Sequence, residues 1–129
     1  LKIIFDLSIP PSVNHCYVNT YGRGHKNRRL TDDAILWKHD AAILARIAAK
    51  KQGWLMPKKG DKVVLELVAY WPDGRRRDMN NCHKLLCDAF ERILYVDDKC
   101  VLVRDMDYHV DKEHPRMEVC VYAKAEEEQ

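Results

Sequence analysis

The chain has 129 residues, 47% of them hydrophobic and 33% charged, with a formal net charge of +2. Those values fit one globular domain with a single core, and no apolar run is long enough to cross a bilayer as a helix. No secretory pattern opens the sequence, so the cytoplasm is the expected compartment.

Residues 2–8, KIIFDLS, predict a strand: the run is short and β-branched, and Pro10 and Pro11 close it. Residues 12–30 predict a long loop holding Asn14, Asn19, Gly22 and Gly24 and ending in the basic run RGHKNRR. Loops of this length in small domains are functional or mobile. The plain reading of its charges is a solvated surface; the functional one is phosphate contact by Arg23, Lys26, Arg28 and Arg29.

Thr31 predicts an N-cap, and Asp32 and Asp33 suit the positive end of a helix. That helix is expected over 32–51, with Gly53 ending it. Its apolar stripe reads as Leu36, Ile43, Leu44, Ile47 and Ala48. Asp40 falls inside the stripe, so it is expected to be paired, or to face a subunit contact or the site.

Residues 62–71, rich in Val, Leu and aromatics, predict a central strand. Pro72, Asp73 and Gly74 form a turn. A second helix is expected over 79–93, apolar through Cys82, Leu85, Leu86, Ala89 and Ile93. Its opposite face carries Asn80, Lys84, Asp88 and Glu91. Strands over 100–110 and 117–123, either side of His114-Pro115, read as a hairpin. The expected architecture is a single α+β domain over 1–124, two layers deep, with two main helices packed on a mixed sheet. The acidic tail 125–129 is expected to be disordered.

The five cysteines are odd in number and lack any CxxC pair, which argues against a disulfide framework. Zinc through His15, Cys16, Cys82, His83 and Cys87 matches no known ligand spacing. Reduced thiols at core and surface positions are the expectation.

The chemistry concentrates in residues 74–98, GRRRDMNNCHKLLCDAFERILYVDD. Three arginines (Arg75, Arg76, Arg77) precede Asp78, the amides Asn80 and Asn81 and then Lys84, and the stretch closes on Asp97 and Asp98. Hydrolysing a phosphodiester needs an activated water, shielding of transition-state charge and a stabilised leaving oxygen. A magnesium ion on two or three carboxylates supplies much of that. Lys84, one turn beyond Asn80, is placed to set a positive charge near the scissile phosphate or the attacking water. Plainer readings stand beside these: Asp78 as a helix cap, Asp97-Asp98 as a turn, and Lys84 with Asp88 as a surface ion pair.

In its order and spacing the stretch resembles the RusA family of Holliday junction resolvases. The family pattern is an Arg-rich turn, D-x-D-N-x-x-K on a helix, an apolar run and a D-D pair. Here it reads Arg75-Arg76-Arg77, then Asp78-Met79-Asn80-Asn81-Cys82-His83-Lys84, then Tyr95-Val96-Asp97-Asp98. The opening Ile9-Pro10-Pro11-Ser12-Val13-Asn14 is similar to the family's start. The resemblance implies metal-binding acids at Asp78 and Asp98 with Asp97 beside them, an essential lysine at Lys84 and a matching asparagine at Asn81. It also implies Mg²⁺ as cofactor, with Mn²⁺ able to substitute, a four-way DNA junction as substrate, and a homodimer. Asn80 departs from the pattern, since the family's second aspartate is here an uncharged amide. Three readings follow: a magnesium-dependent junction endonuclease, a junction-binding relative that no longer cuts, and a small structural partner whose arginines bind protein acids.

Overall fold

The computed structural model describes residues 1–11, 17–22, 25–75 and 77–127. Its four-stranded sheet has the order β1-β6-β4-β5, where β1 is Lys2–Leu7, β4 Val63–Trp71, β5 Val101–Val110 and β6 Arg116–Ala123. The β1–β6 and β6–β4 pairs are antiparallel and β4–β5 is parallel, so the sheet is mixed as expected. Parallel neighbours need a crossover. Between β4 and β5 the chain supplies one in α2, Asn80–Phe90. The longer helix, α1, runs Asp32–Gln52.

Alternate residues of the strands build the core. Val63, Leu65, Leu67, Ala69 and Trp71 of β4 meet Met117, Val119 and Val121 of β6 and Ile3 and Leu7 of β1. From α2 come Cys82, Leu85, Leu86, Ala89 and Phe90, the expected stripe, with Ile93 packed at its margin. The edge of β1 is closed by a side chain: Gln52 accepts from the Ile4 N–H at 2.9 Å and donates to the Ile4 carbonyl at 2.7 Å.

Four expectations change. Residues 12–30 are not one long loop, because β2 (Tyr17–Gly22) and β3 (His25–Leu30) pair as an antiparallel hairpin. Tyr17, Val18, Thr20 and Tyr21 have the β propensity for it, but the basic run and two glycines mask that signal. Second, β5 and β6 are not a hairpin, because β4 lies between them. A strand as apolar as β4 is satisfied by a partner on each edge. The short link after β5 is tied down where the Asp111 N–H donates to Trp71 O at 2.8 Å and Arg116 pairs with Asp111 at 3.0 Å.

Third, α1 is turned around. Its buried residues are Ala34, Trp37, Ala41, Ala45 and Ala48. Leu36, Ile43, Leu44 and Ile47 point outward, and so does Asp40, which has no ion-pair partner among the described residues. Small side chains let the helix axis lie close to the sheet, with Trp37 filling the remaining space and donating to Ser8 O at 3.1 Å. Its ends are as expected: Thr31 Oγ1 accepts from the Ala34 N–H, and Gly53 takes the left-handed conformation (φ 77°) that suits glycine. Fourth, the tail is helical as far as Glu127: α3, Lys124–Glu127, is held by Arg104 and Lys124 on Glu127 at 2.7 and 3.1 Å.

Candidate active site

The turn after β4 is organised by Asp73. Its carboxylate accepts from the Arg75 backbone N–H at 3.0 Å and pairs with the guanidinium groups of Arg75 at 3.1 Å and Arg77 at 2.9 Å. Arg77, and then Arg75, hold the Asp73 carboxyl well below the usual carboxylate range. Arg77 is fixed further by lying over the Trp71 ring, 5.2 Å from its centroid, and by donating to Asp73 O at 3.1 Å. Two cations share one carboxylate, so the turn keeps a net positive charge.

Asp78 follows at the start of α2. Its Oδ1 accepts from the Asn80 N–H at 2.9 Å, and its carbonyl accepts from the Asn81 N–H at 3.1 Å. A carboxylate here satisfies an orphan donor and suits the helix dipole. The capping role is thus real, and Oδ2 is left to other partners. Arg75, Arg77, Asp78 and Asn81 line one cleft of about 1020 Å³. Ile9, Pro10, Trp71 and Met79 give it apolar walls, and residues 105–108 of β5 form its far side.

A second group lies on the outer face of α2. Lys84 and Asp88 form an ion pair at 3.6 Å, one turn apart. Burial pushes the Cys87 thiol up to about 11, with smaller contributions from Asp88 and Asp98 raising it and Lys84 lowering it. Lys84, Asp88 and Asp98 therefore share the surroundings of Cys87. Asp98 is carried there by the turn after α2. Phe90 O accepts from the Ile93 and Leu94 N–H groups, and Tyr95 Oη donates to Cys87 O at 2.5 Å. Helix α2 ends at Phe90, short of the expected 93, because Glu91 is extended and Arg92 takes a positive φ of 67°. Asp97 caps the 3₁₀ turn Asp98–Cys100, accepting from the Lys99 N–H at 2.8 Å.

The two groups are separated along α2: Asp78 and Asp88 are ten positions apart, about 15 Å along a helix axis at 1.5 Å per residue. Asn80, Lys84, Asp97 and Asp98 do not line the cleft. Among the described residues no three His, Cys, Asp or Glu side chains come together as a metal would need. One chain therefore does not hold the expected acids as a preformed three-carboxylate cage. Of the zinc candidates, His15 and Cys16 lie outside the described residues, and Cys82, Cys87, Cys100 and Cys120 form no disulfide among the described residues.

Of the expected DNA contacts, Arg29 is exposed at the end of β3, and Lys26 and Arg28 belong to the same strand. Arg23 and Arg76 lie outside the described residues.

A protein-family model described as Endodeoxyribonuclease RusA matches residues 9–122. The chain belongs to the RusA family. Crossover junction endodeoxyribonuclease RusA of Escherichia coli (strain K12) is 30% identical over 104 residues, covering 80% of this chain and 76% of that protein. The protein of the same name from strain UTI89 / UPEC matches equally.

Within this RusA-family chain the cleft adds residues that sequence reasoning passes over. Asp105 pairs with His83 at 2.8 Å and, with Asp107, puts two more acids on the β5 side of the cleft. Tyr108 lines the same wall and is 69% exposed. Only the parallel β4–β5 pairing sets these residues beside Asp78; a hairpin of 100–110 with 117–123 would place them elsewhere. Asp73 is legible in principle, since an acid two and four positions before arginines in a turn is a natural clamp.

Proposed function

We propose that this chain is a structure-selective DNA endonuclease that resolves four-way junctions by paired phosphodiester hydrolysis in recombination and repair. The observation that carries the reading is the cleft. In a RusA-family chain, it gathers Arg75, Arg77, Asp78 and Asn81 on one concave surface. The arginines, preset by Asp73 and Trp71, meet backbone phosphates, and Asn81 supplies an uncharged donor beside them. Lys26, Arg28 and Arg29 of the hairpin, with Arg23 and Arg76, extend the grip along the junction arms. Asp78 would face the scissile phosphate, and Lys84, outside the cleft and paired with Asp88, would offset charge on a phosphate that extends along the outer face of α2.

Mg²⁺ is the proposed cofactor, with Mn²⁺ as a substitute, and Asp78, Asp97 and Asp98 with Asn80 are its proposed protein ligands. When bound it supplies Lewis-acid activation of water and charge neutralisation. The acids of one chain stand apart, so a single ion would take them only where two chains or bound DNA bring them together, and it would complete its shell with substrate phosphate and water, as magnesium commonly does. A four-way junction has approximate two-fold symmetry, and two matched cuts need two matched sites, so the working form is a C2 homodimer. The expected compartment is the cytoplasm. No helix among the described residues is long and apolar enough to cross a membrane.

The dispersed acids and the uncharged Asn80 favour one second reading, a relative that binds junctions without cutting them. Incubating the protein with a synthetic four-way junction and a linear duplex of the same sequence, with and without Mg²⁺, separates the two. Symmetric nicks in the junction alone, dependent on Mg²⁺, support the resolvase. Tight junction binding with no nicks at any magnesium concentration supports the second reading. Equal affinity for junction and duplex counts against both.

A further inference from the structure

Helix α1 sends outward side chains that a solvated helix does not normally carry. Leu36, Ile43, Leu44 and Ile47 are 60%, 43%, 41% and 55% exposed and fall within one arc of the helix at 100° per residue. Single exposed aliphatic side chains need no explanation, but a contiguous stripe of them marks an interaction surface.

The charges at the two ends of that helix are ordered. Asp32 and Asp33 occupy the first turn, Lys50 and Lys51 the last, and all four are exposed. None has an ion-pair partner among the described residues. Such charges suit the helix's own dipole, so alone they ask for no partner. Together with the stripe they make the face self-complementary. The neighbouring sheet edge is closed to strand addition at Ile4, where Gln52 occupies both backbone groups, which leaves helix-on-helix packing.

We infer that α1 is the seam of a two-fold dimer, its occupant a second copy of this chain lying antiparallel on the same stripe. With the axis between Ala41 and Ala42, Leu36 of one copy faces Ile47 of the other. Asp32 and Asp33 then face Lys51 and Lys50 at both ends. A 21-residue helix is about 30 Å long, enough to anchor an interface of the standard size, about 800 Å² per partner. Asp40 lies close to the axis and meets its own copy, so it opposes association and sets its strength. The inference rests on the paired-cut reading only for expecting a two-fold dimer at all; the place of the seam rests on α1 itself.

Sedimentation velocity on the full chain, from 1 to 100 μM, tests it with three designs. Ile43→Ser with Ile47→Ser weakens self-association at least tenfold without lowering the thermal midpoint of the monomer. Two charge variants follow: one carries Lys50→Glu and Lys51→Glu, the other Asp32→Lys and Asp33→Lys. Each alone faces like charges at both ends of the seam and is monomeric, whereas their mixture restores a dimer. Asp40→Asn tightens the wild-type dimer. A wild type that stays monomeric throughout overturns the seam and the paired-site reading together. A dimer untouched by the serine and charge variants overturns the seam alone and leaves the paired-site reading standing. If the two charge variants fold but fail to combine when mixed, the antiparallel register is wrong.

Discussion

Tyr95→Phe tests how the turn carrying Asp97 and Asp98 is held. Tyr95 is fully buried, and its hydroxyl donates to Cys87 O at 2.5 Å, within the last turn of α2 where helix carbonyls lack intrahelical partners. Removing the hydroxyl loses a bond worth about 1 kcal/mol net and leaves a carbonyl less well satisfied, for a combined loss of about 1.5–2 kcal/mol. For a domain of this size that is a fall of roughly 6–8 °C in Tm. The pH dependence has a defined sign. Burial, the largest cause, raises the Tyr95 pKa well above its ordinary 10.0. Its contribution is therefore complete below pH 10 and declines as pH rises past that value toward the folded pKa. The stability gap between wild type and Tyr95→Phe should be constant from pH 6 to 9 and narrow above pH 10. Urea denaturation at pH 7 and pH 10.5 measures both ends. A phenylalanine variant within about 0.3 kcal/mol of wild type at pH 7 refutes the claim that this hydroxyl holds the turn, since a net hydrogen bond is worth more than that.

Three further outcomes are expected. Ala45→Leu pushes three extra carbons into the packed face of α1 and should cost about 1–3 kcal/mol by urea denaturation; a neutral result means the alanines do not face the sheet. Arg75→Ala with Arg77→Ala should lower the slope of log affinity for junction DNA against log salt by about 0.9 for each phosphate no longer neutralised; an unchanged slope returns both residues to the solvated surface. Asn80→Asp should lower the magnesium concentration for half-maximal junction cutting, because it adds a charged oxygen ligand; an unchanged magnesium dependence removes Asn80 from the ion's surroundings.

Local signals in the sequence carry much of this fold. Thr31 and Gly53 set the ends of α1, and the spacing of Cys82, Leu85, Leu86 and Ala89 fixes the inner face of α2. The long-range arrangement is less legible. Nothing in residues 100–123 distinguishes two strands that pair with each other from two that flank β4, because both arrangements bury the same side chains. The face of α1 is easily misread because a helix with aliphatic residues on one side and alanines on the other offers two apolar faces. Size points to the wrong one, since close approach to a sheet selects small side chains.

The site divides in the same way. Arg75, Arg77, Asp78 and Asn81 are close in sequence and share the cleft. Lys84 lies midway along α2, and Asp98 beyond its far end, near Cys87. Whether they join Asp78 depends on helix length and the turn after it, which residue types do not encode. Asp105, Asp107 and Tyr108 become visible only once β5 is seen parallel to β4.

The most direct test of the nuclease assignment is junction cleavage by Asp78→Asn in magnesium, read beside junction binding by the same protein. Asp78 is exposed, and an asparagine can still accept the Asn80 N–H, so α2 keeps its cap. The expected result is cutting reduced by at least roughly 100-fold, in the range seen when a group acting on the transition state is removed. Junction affinity should be unchanged or higher, because a negative charge facing phosphate has been removed. Wild-type cutting by Asp78→Asn would contradict the assignment of this cleft as the nuclease site and leave Asp78 with its capping role alone.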